Sequence, residues 1–306
     1  MCSNIANQGP EAPAIARGLR AVDTVVAVDG FWTETARAAG IVLPPALFLE
    51  EEDVVASYWQ NQLGAARRVV KPPEGCRTDF EVMLEVARRL DRPVPHETLD
   101  AWLEAGLPQG APSLTELRAR GWARMPWPAV AWAGGFAHPD SRFRLLDTLS
   151  PPDPVDPEYP LRLLTSVRRG ALHSQILPEE HTGPLPVRVN PAPARAIGLD
   201  DGAPVRVVSR QGQLKGILRL DPCLHPELVA CPRGGWLEHD QGVNAATQAV
   251  LTDMGECAAF YATQVRVEHL LSIQAESPQG TRVLPARGHP PAGGEISVTS
   301  SPSAGT

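Results

Sequence analysis

Six short apolar runs between residues 162 and 267 constrain the fold more than any other feature of this chain. Arg162–Thr165, Val187–Val189, Val205–Ser209, Gln213–Leu220, Leu228–Cys231 and Thr263–Val267 each read as a strand. Asp201-Gly202 and Gln211-Gly212 mark tight turns among them. One helix is inserted. Asn190 suits its cap, Pro191 its first turn and Gly198 its end. Many short strands with one small helix predict a compact β-barrel.

The first half has a different texture. Thr24–Asp29 is a continuous apolar run closed by a carboxylate and reads as a buried parallel strand. Thr33, Glu34 and Thr35 open a short helix, and Ile41–Leu43, stopped by two prolines, is the next strand. Strand–helix–strand is the unit of a doubly wound sheet. Thr78 and Glu81 form a capping box for a helix running to Leu90, and Ser113 with Glu116 starts another. Trp102, Trp122, Trp127 and Trp132 read as packing residues and loop anchors. Pro151–Pro160 reads as a linker, and the Pro-, Gly-, Ser- and Thr-rich end as a disordered tail. The expected organisation is therefore an α/β domain over 1–95, an irregular extension over 96–155, a barrel over 156–268 and a tail over 269–306.

A length of 306 residues with 43% apolar side chains is enough for two domains with real cores. The net charge of −7 argues against nucleic acid or an anionic membrane as a general partner. The five cysteines include no CxxC pair, so no local iron–sulfur or zinc motif is expected, and their odd, scattered placement suits a reducing compartment. No stretch approaches the roughly 20 apolar residues of a spanning helix, and the first residues lack a signal-peptide core. Cytoplasm is the expected location, with the periplasm as the alternative if the chain is a fragment. Neighbouring His173 and Ser174 do not make a nucleophile–base pair, and no GxSxG elbow occurs, which disfavours a hydrolase.

The chemistry concentrates in Leu163–Gln175, LLTSVRRGALHSQ. Hydroxyls, two guanidinium groups, an imidazole and backbone N–H groups gather at one strand end, the donors that a phosphate-bearing ligand needs. This segment resembles the start of the C-terminal, dinucleotide-binding domain of the molybdopterin oxidoreductases (the dimethyl sulfoxide reductase superfamily). VRVNPAPARAIGLDDGAPVRVVSRQGQ and GVNAATQAVLTDMGECAAFYATQVRVE follow in the order of that family. VVAVDGFWTETARAAGIVLPP resembles its third domain, with Gly40 where Asp is usual, and NQLGAAR is a looser match.

The resemblance implies a partial Rossmann-like α/β domain followed by a double-psi β-barrel, with bis-molybdopterin guanine dinucleotide and molybdenum as cofactor. Asp29 would accept two guanine donors, with Thr33 and Thr35 beside it. Thr165, His173, Ser174, Gln175 and Asn244 would contact the pterin or its phosphates. Val167 stands where the family often has arginine, which leaves Arg168 or Arg169 for a phosphate. The alternatives are a cap or turn role for Asp29, a structural role for His173 and a turn role for Asn244. The family is much longer, with an iron–sulfur region and metal ligand in earlier domains, and Asn4 stands where a G-x-N-P turn is expected. The chain is accordingly expected to be the C-terminal portion of such an enzyme, inactive without missing N-terminal domains or a complementary subunit. A non-catalytic psi-barrel binding module is the alternative.

Overall fold

The computed structural model describes residues 4–128, 130–145, 148, 154–252 and 255–270. The expected tail from residue 271 and the start of the expected linker, residues 151–153, lie outside them. Two helices lead in, α1 (Ile5–Gln8) and α2 (Ala12–Ala21). Strand β1 (Val26–Val28), helix α3 (Glu34–Ala38) and strand β2 (Ile41–Leu43) then form the expected strand–helix–strand unit, with β1 and β2 parallel. Thr33 caps α3 by accepting the Ala36 N–H at 3.2 Å. The strand is parallel, but it is not buried as its apolar run suggests. Val26 is 50% exposed and Val28 37%, because among the described residues β1 has β2 as its single neighbour and only Ala27 is covered.

An antiparallel sheet follows that the sequence reading missed. It consists of β3 (Asp53–Ala56), β4 (Gln62–Ala66) and, after three helices, β5 (Trp122–Arg124). The helices are α4 (Asp79–Arg89), α5 (Leu99–Ala105) and α6 (Leu114–Arg120). Both expected capping boxes, Thr78/Glu81 and Ser113/Glu116, are present. Leu63, Leu117 and Met125 make a small core here. Trp102 on α5 packs against Phe80 and Trp132 against Phe136, yet the four tryptophans remain 42–61% exposed, so none of them fills a core.

Each expected strand of the second half forms. These are β6 (Leu161–Val167), β7 (Pro186–Val189), β8 (Pro204–Val208), β9 (Gln213–Leu220), β10 (Leu228–Arg233) and β11 (Gln264–His269). They close into a barrel in the order β10-β6-β11-β8-β9-β7. Helix α7 (Pro191–Ala196) is inserted, with Asn190 accepting the Ala192 N–H. Alternation sets the inner face. Leu161, Leu163 and Thr165 on β6, Val205 and Val207 on β8, and Leu214 and Leu218 on β9 point to the core. Each fully buried Val or Leu contributes roughly 1.5–3 kcal/mol.

Two of the pairs are parallel, β6 with β10 and β7 with β9. In the first, Thr165 pairs with Cys231 and Val167 with Arg233. The loops after β6 and after β10 therefore leave the barrel side by side.

Candidate functional site

These two loops press so closely that side chains are excluded between them. Gly234 has φ +92°, and a Cβ there would lie 1.7 Å from the His173 carbonyl oxygen. A Cβ on Gly235 would lie 2.6 Å from Arg168 Nη2 and 2.3 Å from the Gln241 carbonyl oxygen. His173 itself takes φ +52°, in a tight turn closed by the Gln175 N–H donating to Leu172 O at 3.0 Å. Trp236, buried, aims its indole Nε1–H at Ser174 O at 3.4 Å.

Arg168 lies beneath this loop pair. Its Nη2 donates to Gln241 Oε1 at 2.7 Å, and Gln241 in turn donates to Gly183 O at 2.8 Å. Its Nε is buried with no partner, and it forms no ion pair among the described residues. Burial pulls the guanidinium below its ordinary pKa. One imidazole, His181, lies close enough to feel its charge. His181 accepts the Trp236 N–H at Nε2 (3.2 Å) and pairs Nδ1 with Leu177 O (2.9 Å), an arrangement that selects its neutral form. Burial lowers its pKa, and His239, stacked on it at 4.5 Å, adds to that. Thr165 is fully buried in the barrel with an unpartnered Oγ1, whereas Arg169, His173 and Gln175 are exposed.

The other expected residues come from the α/β side. Asp29 follows β1, and its carboxylate closes a local turn, accepting the Phe31 N–H at 3.1 Å and the Thr33 hydroxyl at 2.9 Å. Thr35 donates to Asn4 Oδ1 at 2.6 Å, and Asn4 Nδ2 donates to Ser174 Oγ at 3.3 Å. Asn244 is buried and donates to Asn7 O at 2.7 Å, while Asn7 Nδ2 donates to Gly235 O at 2.8 Å. The structure thus joins Thr35 to Ser174 through Asn4, and ties Asn244 to the loop after β10 through Asn7. It leaves Asp29 in its own turn.

The sequence reading missed Asn7, Glu34, His181, Trp236 and Gln241, and passed over His239. Glu34 Oε1 accepts the Glu238 N–H at 2.9 Å, and Arg37 pairs with Glu238. The T-E-T pattern was visible, but nothing in it announces that the glutamate reaches 204 positions along the chain.

Chemically, the Arg168 cluster suits an anion. A partly desolvated cation with no carboxylate partner among the described residues has capacity for a phosphate oxygen on its exposed side. Asp29, an acceptor at the end of a parallel strand, suits a donor-rich base edge. Among the described residues no group of three His, Cys, Asp or Glu side chains could hold a metal ion. No helix among them is long and apolar enough to cross a membrane.

Comparison with known families agrees with this chemistry. Residues 1–89 match "Molybdopterin oxidoreductase" and residues 162–264 match "Molydopterin dinucleotide binding domain". The chain belongs to the molybdopterin oxidoreductases, in the dimethyl sulfoxide reductase superfamily. Among relatives of this molybdopterin oxidoreductase chain, "Probable oxidoreductase YyaE" of Bacillus subtilis is 26% identical over 280 residues, 83% of this chain and 42% of that protein. "Trimethylamine-N-oxide reductase 1" of Escherichia coli is 27% identical over 290 residues, 74% of this chain and 33% of that protein. The chain thus spans less than half the length of these relatives. The solved acetylene hydratase of Pelobacter acetylenicus superposes with a TM-score of 0.70 at 19% identity, over 88% of this chain and 43% of that one, which shows the shared fold.

Proposed function

We propose that this chain holds the dinucleotide part of a bis-molybdopterin guanine dinucleotide cofactor in a molybdenum oxidoreductase. The observation that carries the reading is Arg168. It is a half-buried guanidinium with a buried, unpartnered Nε and no counter-ion among the described residues, at the end of two parallel strands in a domain of the dinucleotide-binding type. In this reading Arg168 and the exposed Arg169 take phosphate oxygens, and Asp29, steadied by Thr33, accepts guanine N–H groups. His173, Ser174 and Gln175 line the turn that faces the pterin, with Thr35, Thr165 and Asn244 behind. Two parallel pairs within one closed barrel support a double-psi barrel, and β1–α3–β2 supports a partial Rossmann-like unit. When bound, the metal and its dithiolenes supply the redox chemistry, and the polypeptide supplies binding and orientation.

The same reading assigns the metal ligand and any iron–sulfur cluster to further domains or a complementary subunit. Apolar side chains exposed on both strands of a parallel pair, Val26, Val28 and Ile41, support such a covering partner. Free Cys76, Cys223, Cys231 and Cys257 suit the cytoplasm.

Titration calorimetry with guanosine diphosphate tests the binding claim. The full chain should bind it, and Arg168→Ala should weaken binding about tenfold or more, the loss expected for one charge-assisted hydrogen bond. Absence of binding, or equal binding by the variant, refutes the reading.

A further inference from the structure

We infer that Glu34 is a positioning residue. It clasps the loop after β10 to α3 and so fixes Arg168 toward its anion. This deepens the proposed function and rests on it only for the identity of the anion.

Glu34 Oε1 accepts the Glu238 N–H at 2.9 Å, and the Leu237 N–H also points to its carboxylate. Asn7 Nδ2 donates to Glu34 Oε2 at 3.3 Å and to Gly235 O at 2.8 Å. The four residues Gly235–Glu238 are therefore pinned at both ends by side chains from another part of the chain. Arg37, one turn along α3, pairs with Glu238 and closes the clasp from outside. The pinned segment continues directly to Gln241, whose backbone N–H returns to Trp236 O at 3.1 Å. Gln241 Oε1 then holds Arg168 Nη2. A carboxylate on α3 thus sets, through one short rigid loop, where a guanidinium on a different strand end is presented. The carboxylate sits there against its own electrostatics. Burial raises its pKa, and Glu238 adds to the rise. Capping α3 requires no such position, because Thr33 already caps it.

Two measurements on the full chain decide this. In hydrogen–deuterium exchange, Glu34→Ala should speed exchange across residues 236–241 about tenfold or more, the loss of one or two hydrogen bonds to a charged acceptor. The β9 segment should not change. Glu34→Gln, which keeps an oxygen acceptor, should restore most of the protection. Uniform acceleration across the barrel, no acceleration, or no rescue by glutamine overturns the inference. In a double-mutant cycle read by guanosine diphosphate affinity, the losses for Glu34→Ala and Arg168→Ala should combine to less than their product. Independent, multiplying losses overturn it. If the unmodified chain binds no guanosine diphosphate, the proposed function falls, and the exchange measurement alone still decides whether the clasp exists.

Discussion

Replacing Gly234 with alanine tests the loop geometry most severely, because two separate penalties coincide there. At φ +92° an L side chain costs about 1–2 kcal/mol in backbone strain alone. The new methyl would also stand 1.7 Å from the His173 carbonyl oxygen and 3.4 Å from Ile176 Cδ1. The first contact is with backbone, so neither loop can yield by a rotamer change. Overpacking of this kind adds about 1–3 kcal/mol. The sum is roughly 2–5 kcal/mol, against a total stability of about 5–15 kcal/mol for a typical domain. Gly202 is the internal control, with φ +81° and open space where its Cβ would stand. Gly202→Ala should cost only the backbone strain, about 1–2 kcal/mol. Urea denaturation followed by circular dichroism gives both values. If Gly234→Ala costs no more than Gly202→Ala, the close approach of the two loops is wrong, and with it the placement of His173 against Gly234.

Three further outcomes are expected. Glu34 has a carboxyl raised above its ordinary 4.5 chiefly by burial, so its contribution to stability is complete below about pH 4.5 and is lost as pH rises through the raised value. Glu34→Gln should therefore gain in denaturation midpoint relative to the parent between pH 4 and pH 7, and a constant difference would contradict the burial. His181 has its pKa lowered below 6.5, chiefly by burial, so stability should fall as pH drops below about 6.5. His181→Gln should flatten that fall, and an unchanged slope in pH-dependent melting would show that the imidazole does not face the Trp236 N–H. The Cys231 thiol is fully buried and pushed up to about 12, while Cys223 and Cys257 are exposed. Iodoacetamide labelling of the native chain read by mass spectrometry should mark those two and spare Cys231, and early labelling of Cys231 would contradict a closed barrel.

What the sequence disclosed was local and periodic. Alternation in Val205–Ser209 and Gln213–Leu220 determines both a strand and the face that it buries, so these elements were readable to within a residue or two. Asn190-Pro191 and the Thr78/Glu81 box announce helix starts by hydrogen bonds made within three residues. The run at Thr24–Asp29 announced a strand for the same reason, but its cover depends on neighbours that lie elsewhere in the chain. Sheet β3–β4–β5 was missed because QLGAA lacks strong β-formers and is a strand by virtue of its partners. Of the expected site residues, Arg168 lies in a setting whose chemistry a motif could suggest. Its support could not be read, since Gln241 is 73 positions away and the ties of Ser174 and Asn244 to Asn4 and Asn7 span 170 and 237. Tertiary hydrogen bonds of that range leave no periodic trace.

The bond from Asn7 to Gly235 has a further consequence, for biosynthesis. It joins residues 228 positions apart. At about 5–20 residues per second, the opening helix leaves the ribosome roughly 10–50 s before its acceptor exists. Throughout that interval Asn7 and Glu34 have no loop to hold. Nascent chains stalled before residue 235 should accordingly leave Ala6 and Asn7, buried in the complete fold, open to protease, and protect them once the loop after β10 has emerged.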